Sequence, residues 1–323
     1  MSRARDIASH GYTSTNANIL INPSFTVAQR GTSVTLANSG YALDRWSVSG
    51  LSSVGGTSVN VLQDINAPYS RMKVLNTGTT TGHSFALQVI EAVNILGSYG
   101  KELTLSFGYS SSSSTAPVVT LIQYDSSGGV NYIATDAAVT AYGANKYKYT
   151  FTLPSQSISD TPALSEKALQ VRITADGAAN APAEWYLWET KLEAGSEATP
   201  FVARPYSEEL ALCLRYFWRI AKEVIYHNIT NMAGFSPTNA YGTLPFPVRM
   251  RAAPASTNSG ADDFYISGAG VNHVPTSIYT DSMTTWSTQL TVIATGLTNG
   301  SAYWLRFSNS ANADEYLDFD AEL

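Results

Sequence analysis

The stretch ELTLSFGYS, residues 102 to 110, places Leu103, Leu105, Phe107 and Tyr109 on one side of an extended chain, with Thr104, Ser106 and Gly108 between them. Successive side chains of a strand point to opposite faces, so a period of two marks a strand with one buried face. The pattern recurs in KYKYTFTL (146 to 153), where Tyr147, Tyr149 and Phe151 oppose Lys146, Lys148 and Thr150. It recurs again in ALQVRIT (168 to 174), where Leu169, Val171 and Ile173 share a face. Turn segments separate such runs: SSSSST (110 to 115), DSSGG (125 to 129) and ADGAANAP (175 to 182). Many short antiparallel strands at this spacing predict an all-β chain with a jelly-roll or β-sandwich domain. No βαβ rhythm is present, which argues against a parallel sheet.

Composition narrows the function classes. Charged residues make up 14% of the 323 residues and aromatic residues 11%, and Ser, Thr, Asn and Gly are abundant. The net charge is −6 and no run of Lys or Arg occurs, so the clustered basic face that a nucleic-acid partner needs is missing. The start, MSRARDIASHGYTSTN, holds no apolar core of the signal-peptide kind. No stretch approaches the roughly 18 apolar residues of a bilayer span, so the expectation is a chain made in a cytoplasm without membrane insertion. A single cysteine, Cys213, allows no intrachain disulfide, which leaves stability to packing or to assembly with other copies.

Catalytic signals are weak. His10, His83, His227 and His273 are scattered without metal-ligand spacing, and neither a G-x-S-x-G elbow nor a phosphate loop is present. No metal or cofactor is expected. Cys213 sits among apolar neighbours, the setting of an inert buried thiol rather than a nucleophile. The carboxylate pairs Asp262 with Asp263, Glu189 with Glu193, and Asp318 with Asp320 are of the type that a glycosidase uses as acid and base. Charges alternating along a strand are more simply a solvated face, and the expectation is a protein that is not an enzyme.

KLEAGSEATPFVARPYSEELALCLRYFWR, residues 191 to 219, differs from everything around it. It leaves a strand, passes Pro200, Arg204 and Pro205, and enters a helical pattern. Ser207 is a suitable N-cap, Glu208 and Glu209 favour the helix N-terminus, and Leu210, Leu214, Phe217 and Trp218 follow at helical spacing. RYFWRIAKEVIYH is equally rich in strand formers, so the helix either continues or ends near Leu214 and gives way to a strand. Beyond it TQLTVIATGL, SAYWLRFSN and EYLDFDAEL read as strands. The last places Leu317, Phe319, Ala321 and Leu323 opposite Asp318, Asp320 and Glu322. The domain plan is an N-terminal arm over 1–17, a jelly roll over 18–205, and a short hinge helix with a second, smaller β-sandwich over 206–323. The arm is too short to fold alone and too polar to be a core, so it orders on a partner surface.

NILINPSFTVAQRGTS (18 to 33), GYALDRWSVSG (40 to 50), the segment from Trp185 to Arg219, LPFPVRMRAAP (244 to 254) and YLDFDAEL (316 to 323) together resemble a family of phage structural proteins. Its members serve as tail fibres, receptor-binding proteins, or capsid fibres and decoration proteins. The resemblance implies a first domain like a carbohydrate-binding jelly roll, a trimerising C-terminal end with residues 207 to 220 near its axis, and location on a virion. The function implied is a fibre or appendage subunit, a homotrimer joined to other virion proteins through its arm, that binds bacterial surface polysaccharide. The alternative is a capsid or neck decoration protein with purely structural contacts.

Sugar binding by such a domain needs a flat ring against the apolar face of a pyranose, with amides or carboxylates for the hydroxyls. Trp185 and Trp188 fall on opposite faces of one strand, and Trp188 shares its face with Tyr186. Tyr186 and Trp188 are therefore the first glycan candidates. Trp46, within DRW, is held in reserve because a core tryptophan between two sheets is its simpler role. Leu210, Leu214, Phe217 and Trp218 are the candidate oligomer contacts.

Overall fold

The computed structural model describes residues 17–37, 39–50, 58–65, 70–77, 84–113, 115–157, 159–175, 183–310 and 314–323. The arm expected over 1–17 lies, except for residue 17, outside the described residues, as do His10, His83 and most of the ADGAANAP turn. Two compact units divide the chain: Met1–Cys213 together with Leu323, and Leu214–Glu322.

The first unit contains β1 (Ser33–Leu36), β2 (Ser39–Tyr41), β3 (Ser47–Gly50), β4 (Ser58–Asp64), β5 (Arg71–Thr77), β6 (Ser84–Glu91) and β7 (Glu102–Ser111). It continues with β8 (Val118–Tyr124), β9 (Val130–Ala138), β10 (Thr140–Gly143), β11 (Lys146–Thr152), β12 (Lys167–Thr174) and β13 (Glu184–Ala194). They form a seven-stranded sheet in the order β1-β4-β5-β13-β7-β11-β10 and a six-stranded sheet in the order β2-β3-β6-β12-β8-β9. Every described pairing is antiparallel, and neighbours in the sheets are mostly distant in sequence, as crossing connections of a jelly-roll sandwich require. Leu103, Leu105 and Phe107 of β7 and Trp185 of β13 meet Leu121 of β8 and Leu169, Val171 and Ile173 of β12 in one core. The alternation in ELTLSFGYS and ALQVRIT thus selects the faces that the two sheets bury.

The NPSF, QRG and DRW segments interlock at the edge of this core. Asn22, at φ 53°, donates its side-chain amide to Val27 O and Asp44 O, and its Oδ1 accepts from the Val27 amide. Asp44 accepts from the backbone and side-chain nitrogens of Gln29, both at 2.7 Å. Left-handed Asn22, Phe25 and Arg45 carry a cost for residues other than glycine, and this closed network holds them there.

The one α-helix among the described residues, α1 (Tyr206–Leu214), follows. It ends at Leu214 and Phe217 opens a strand, so the second of the two readings of RYFWRIAKEVIYH holds. The expected boundary at residue 206 shifts, because α1 through Cys213 groups with the first unit. The cause is electrostatic. The Glu209 carboxylate is buried and accepts the Asn22 amide at 2.6 Å, and Arg204 spans both of its oxygens at 3.2 and 3.1 Å. Arg204 also donates to Leu20 O and Asn18 O. Just upstream, buried Glu193 accepts from the Thr199 amide, the Thr199 hydroxyl and Lys191 Nζ. The charged residues of the hinge therefore clamp it onto the first unit's N-terminal segment.

The second unit contains β14 (Phe217–Ala221), β15 (Asn228–Gly234), β16 (Asn239–Pro245), β17 (Ala255–Asn258) and β18 (Phe264–Gly268). After these come β19 (Val271–His273), β20 (Ser277–Asp281), β21 (Ser287–Ile293), β22 (Ala302–Phe307) and β23 (Tyr316–Asp320). A three-stranded sheet, β14-β23-β17, faces a seven-stranded one, β19-β18-β22-β15-β16-β21-β20. Leu317, Phe319 and Ala321 join the core of this second, smaller sandwich, as the alternation in YLDFDAEL predicts. Asp318, expected to be solvated, is instead buried and receives both Nε and Nη2 of Arg219.

Candidate functional site

The structure gives the three sequence-predicted glycan residues other tasks. Trp46 is fully buried, its indole N–H donates to Asn22 O at 3.0 Å, and Phe25 lies 5.2 Å from its ring. Trp185 belongs to the core, and Trp188, expected to face outward beside Tyr186, is only 5% exposed. The reason is its cross-strand partner Gly108, which has no side chain. A Cβ there would fall 2.1 Å from the Trp188 ring, so the indole lies flat on bare backbone. Tyr186 is half-buried beneath Arg71, whose guanidinium stands 4.0 Å from the ring centroid, and its hydroxyl donates to Glu184. Lys73 pairs with Glu184 at 2.9 Å; that bond raises the lysine pKa, and the Tyr186 and Lys73 bonds lower that of Glu184. Trp46 and Trp188 expose almost no ring surface, and Arg71 covers one face of Tyr186.

Of the candidate oligomer contacts, Phe217 is buried and Trp218 stacks on Phe319 at 5.4 Å, so the chain itself covers both. Leu210 and Leu214 are half-buried. Among the candidate acid–base carboxylates, Glu189 sits at a register break in β13 with φ 47° and pairs with Lys146. Glu193 and Asp318 are committed to the bonds described above.

A different surface collects sugar-compatible groups, namely the outer face of the six-stranded sheet. With Leu169, Val171 and Ile173 of β12 and Val119 and Leu121 of β8 turned into the core, Gln170, Arg172, Thr120, Ile122 and Tyr124 must face outward. Their neighbours on that face are Phe85 and Leu87 of β6 and Val130, Tyr132 and Asp136 of β9. The Tyr124 hydroxyl donates to Gln170 Oε1 at 3.0 Å, and Lys167 Nζ stands 4.6 Å from the Tyr124 ring. Arg172 lies 4.2 Å above Phe85 and 3.6 Å from Asp136, which also accepts from Thr120. Burial pushes the Tyr124 phenol up, so it stays a neutral donor at physiological pH. Tyr132 stands clear of this network at 58% exposure. One exposed ring beside fixed amide, guanidinium and carboxylate groups can stack on a pyranose and hydrogen-bond its hydroxyls.

At the end of this face the DSSGG turn encloses a polar recess of about 260 Å³ lined by Gln123, Asp125, Asn131, Gln156 and Asp160 among others. Bonds from the Ser127 hydroxyl and the Gly129 amide hold the Asp125 carboxyl below its ordinary value. Gln156 Nε2 donates to Tyr124 O at 2.9 Å, while its buried Oε1 has no partner among the described residues. Sequence reasoning treated DSSGG only as a turn. The signal it passed over is the hairpin VVTLIQYDSSGGVNYIA, whose pairing sets Tyr132 opposite outward-facing Ile122. Among the described residues no cluster of three or more His, Cys, Asp or Glu could hold a metal ion. No helix among them is long and apolar enough to cross a membrane.

No protein-family profile matches the chain, and no curated protein matches it. Among solved structures it is similar to the CBM22-1 xylan-binding domain of Paenibacillus barcinonensis Xyn10C, at 13% identity and TM-score 0.33, over 58% of this chain and 99% of that one. It is similar to the CBM22-1 and GH10 modules of the Clostridium thermocellum endo-1,4-β-D-xylanase 10B, at 11% identity and TM-score 0.30, over 59% of this chain; it spans 30% of that enzyme's chain. A cyclase from Fischerella sp. TAU is similar at 11% identity and TM-score 0.30, over 57% of this chain and 99% of the cyclase.

Proposed function

We propose that the chain binds a glycan on the outer face of the six-stranded sheet and serves as a fibre or appendage subunit of a phage virion. The observation that carries the binding reading is Tyr132, exposed next to the ordered Tyr124, Gln170, Arg172 and Asp136. The resemblance of the NPSF, DRW and LEAGSEATPF–RPYSEELALC segments to phage structural proteins supports the virion location and the homotrimer. Binding proceeds without chemistry: the face offers stacking and hydrogen bonds, and three copies on one fibre would raise avidity by about 10²- to 10⁴-fold over a single weak site.

The test measures association of the full chain with purified bacterial envelope polysaccharide, with an assay for released reducing ends. Tyr132→Ala is expected to weaken binding roughly tenfold, the equivalent of about 1.4 kcal/mol of lost stacking, without changing thermal stability. Absence of binding, while the protein still attaches to capsids through residues 1–17, would remove the adhesion reading in favour of a decoration protein. Released reducing ends would overturn binding without chemistry. Solution mass decides the trimer, and microscopy of intact virions decides the position.

A further inference from the structure

We infer that the second unit has a binding site of its own for a neutral oligosaccharide, over the broken ladder between β15 and β16. Each of these strands is seven residues long, yet they pair only at Ala233↔Tyr241 and Gly234↔Ala240. Where the ladder fails, a groove of about 340 Å³ opens, lined by Asn231, Met232, Ala233, Tyr241, Gly242, Thr243 and Gln289. Gly242 is required at its floor, since a Cβ would fall 2.4 Å from Met232 Sδ and 2.5 Å from Asn231 O.

Alternation fixes what faces outward. Ala240, Leu244, Leu290 and Leu305 are in the core, so Tyr241, Thr243, Gln289 and Trp304 are on the opposite side. Trp304, the cross-strand partner of Asn231, is 50% exposed. On the other flank the exposed Phe235 lies 5.1 Å from the Tyr241 ring. Neighbouring polar groups on the same sheet are spent: Arg306 donates to Ser267 and Asn272 at 2.7 Å each, and Asp281 accepts from Thr291 at 2.6 Å. The side chains of Asn231, Gln289, Tyr241 and Trp304 make no hydrogen bond to described residues. Unspent amides beside exposed rings are what a sugar chain can use.

The occupant follows from the lining. Among the described residues no charged side chain lines the groove, so it does not select an anionic glycan or a nucleic acid. A second copy of the chain would need an interface of roughly 800 Å² on each partner with an apolar centre, and here amides and hydroxyls separate the rings. From β22 across β15 to β16 the face spans about 10 Å, longer than one sugar ring. A neutral oligosaccharide can set an apolar pyranose face on the Trp304 indole and its hydroxyls on Asn231 and Gln289.

Titration of the full chain with cellohexaose, xylohexaose, laminarihexaose and maltohexaose, read by calorimetry and tryptophan emission, tests this. At least one should bind and perturb the emission, equally in wild type and in Tyr132→Ala, which separates this site from the one on the first unit. Trp304→Ala should weaken that binding about tenfold, Trp304→Phe less, and Gln289→Ala several-fold, with an unchanged thermal unfolding midpoint. If Trp304→Ala misfolds, Trp304→Phe and Gln289→Ala decide. Failure of all four sugars to bind, or binding undiminished in these variants, would overturn the inference. So would a fall in solution mass on Trp304→Ala, which would identify an interface between copies.

Discussion

Replacing Glu209 with alanine removes the acceptor that fastens α1 to the N-terminal segment of the first unit. The carboxylate side chain is 2% exposed and satisfies two groups: the amide of fully buried Asn22 and the Arg204 guanidinium, whose side chain is 20% exposed. Stranding the Asn22 amide costs about 1–3 kcal/mol. Arg204 keeps Leu20 O and Asn18 O and can recruit water, so its share is about 1–2 kcal/mol, and the total falls near the 3–5 kcal/mol typical of breaking a buried pair. Arg204→Ala should cost as much, because it leaves Glu209 buried with only the Asn22 amide. The double variant should then cost about 1–3 kcal/mol less than the sum of the singles. Native-state hydrogen exchange reads this directly: amides of residues 18–25 and 206–213 should lose protection together in either single variant. If Glu209→Ala shifts their opening free energy by less than about 0.5 kcal/mol, or the two changes simply add, the clamp does not exist as described.

Gly108→Ala should destabilise by about 1–3 kcal/mol, because its methyl enters the Trp188 ring, and the loss should shrink when Trp188→Leu is added; denaturant unfolding of the four proteins tests this. The buried Glu315 supplies a pH dependence. Burial pushes its carboxyl up, but Ser310, Lys222 and Ser308 outweigh that and hold it below its ordinary value of 4.5. A depressed folded-state pKa means that its stabilisation is complete above about pH 4.5 and is lost as pH falls through the lower folded value. Urea titrations from neutral to acid pH should show this loss in wild type, and Glu315→Gln should be less stable at neutral pH with a flatter profile.

The fold could be read from the sequence because burial of a sheet is written in a period of two. Leu103, Leu105 and Phe107, Leu169, Val171 and Ile173, and Leu317 with Phe319 all turn up in the cores their alternation assigns. The hinge was legible as a helix but not as a clamp. Alternation says nothing about which partner a charge meets, and Glu209 finds Asn22 across 187 positions of sequence. Read locally, Glu208 and Glu209 were equivalent first-turn anions; in the structure Glu208 is exposed and Glu209 is buried.

The candidate site resisted sequence reading for a related reason. Alternation correctly turned Tyr186 and Trp188 away from the core, but outward does not mean open. Gly108 gives Trp188 a flat bed, and Arg71 caps Tyr186. A free ring needs small or distant neighbours on its own face, which is a property of pairing register rather than of the strand carrying the ring. Tyr132 has that freedom on the six-stranded sheet's edge strand β9, and Trp304 has it beside the gap left by β15 and β16. Tyr132 lies on an edge strand, whereas Trp304 is paired on both sides of β22 and stays half-exposed beside its short cross-strand partners Asn231 and Ser267. In a polar all-β chain the aromatic residues able to meet a ligand are therefore to be sought on edge strands and opposite short cross-strand partners, and the covered rings of Trp46, Trp185 and Trp188 belong to the fold.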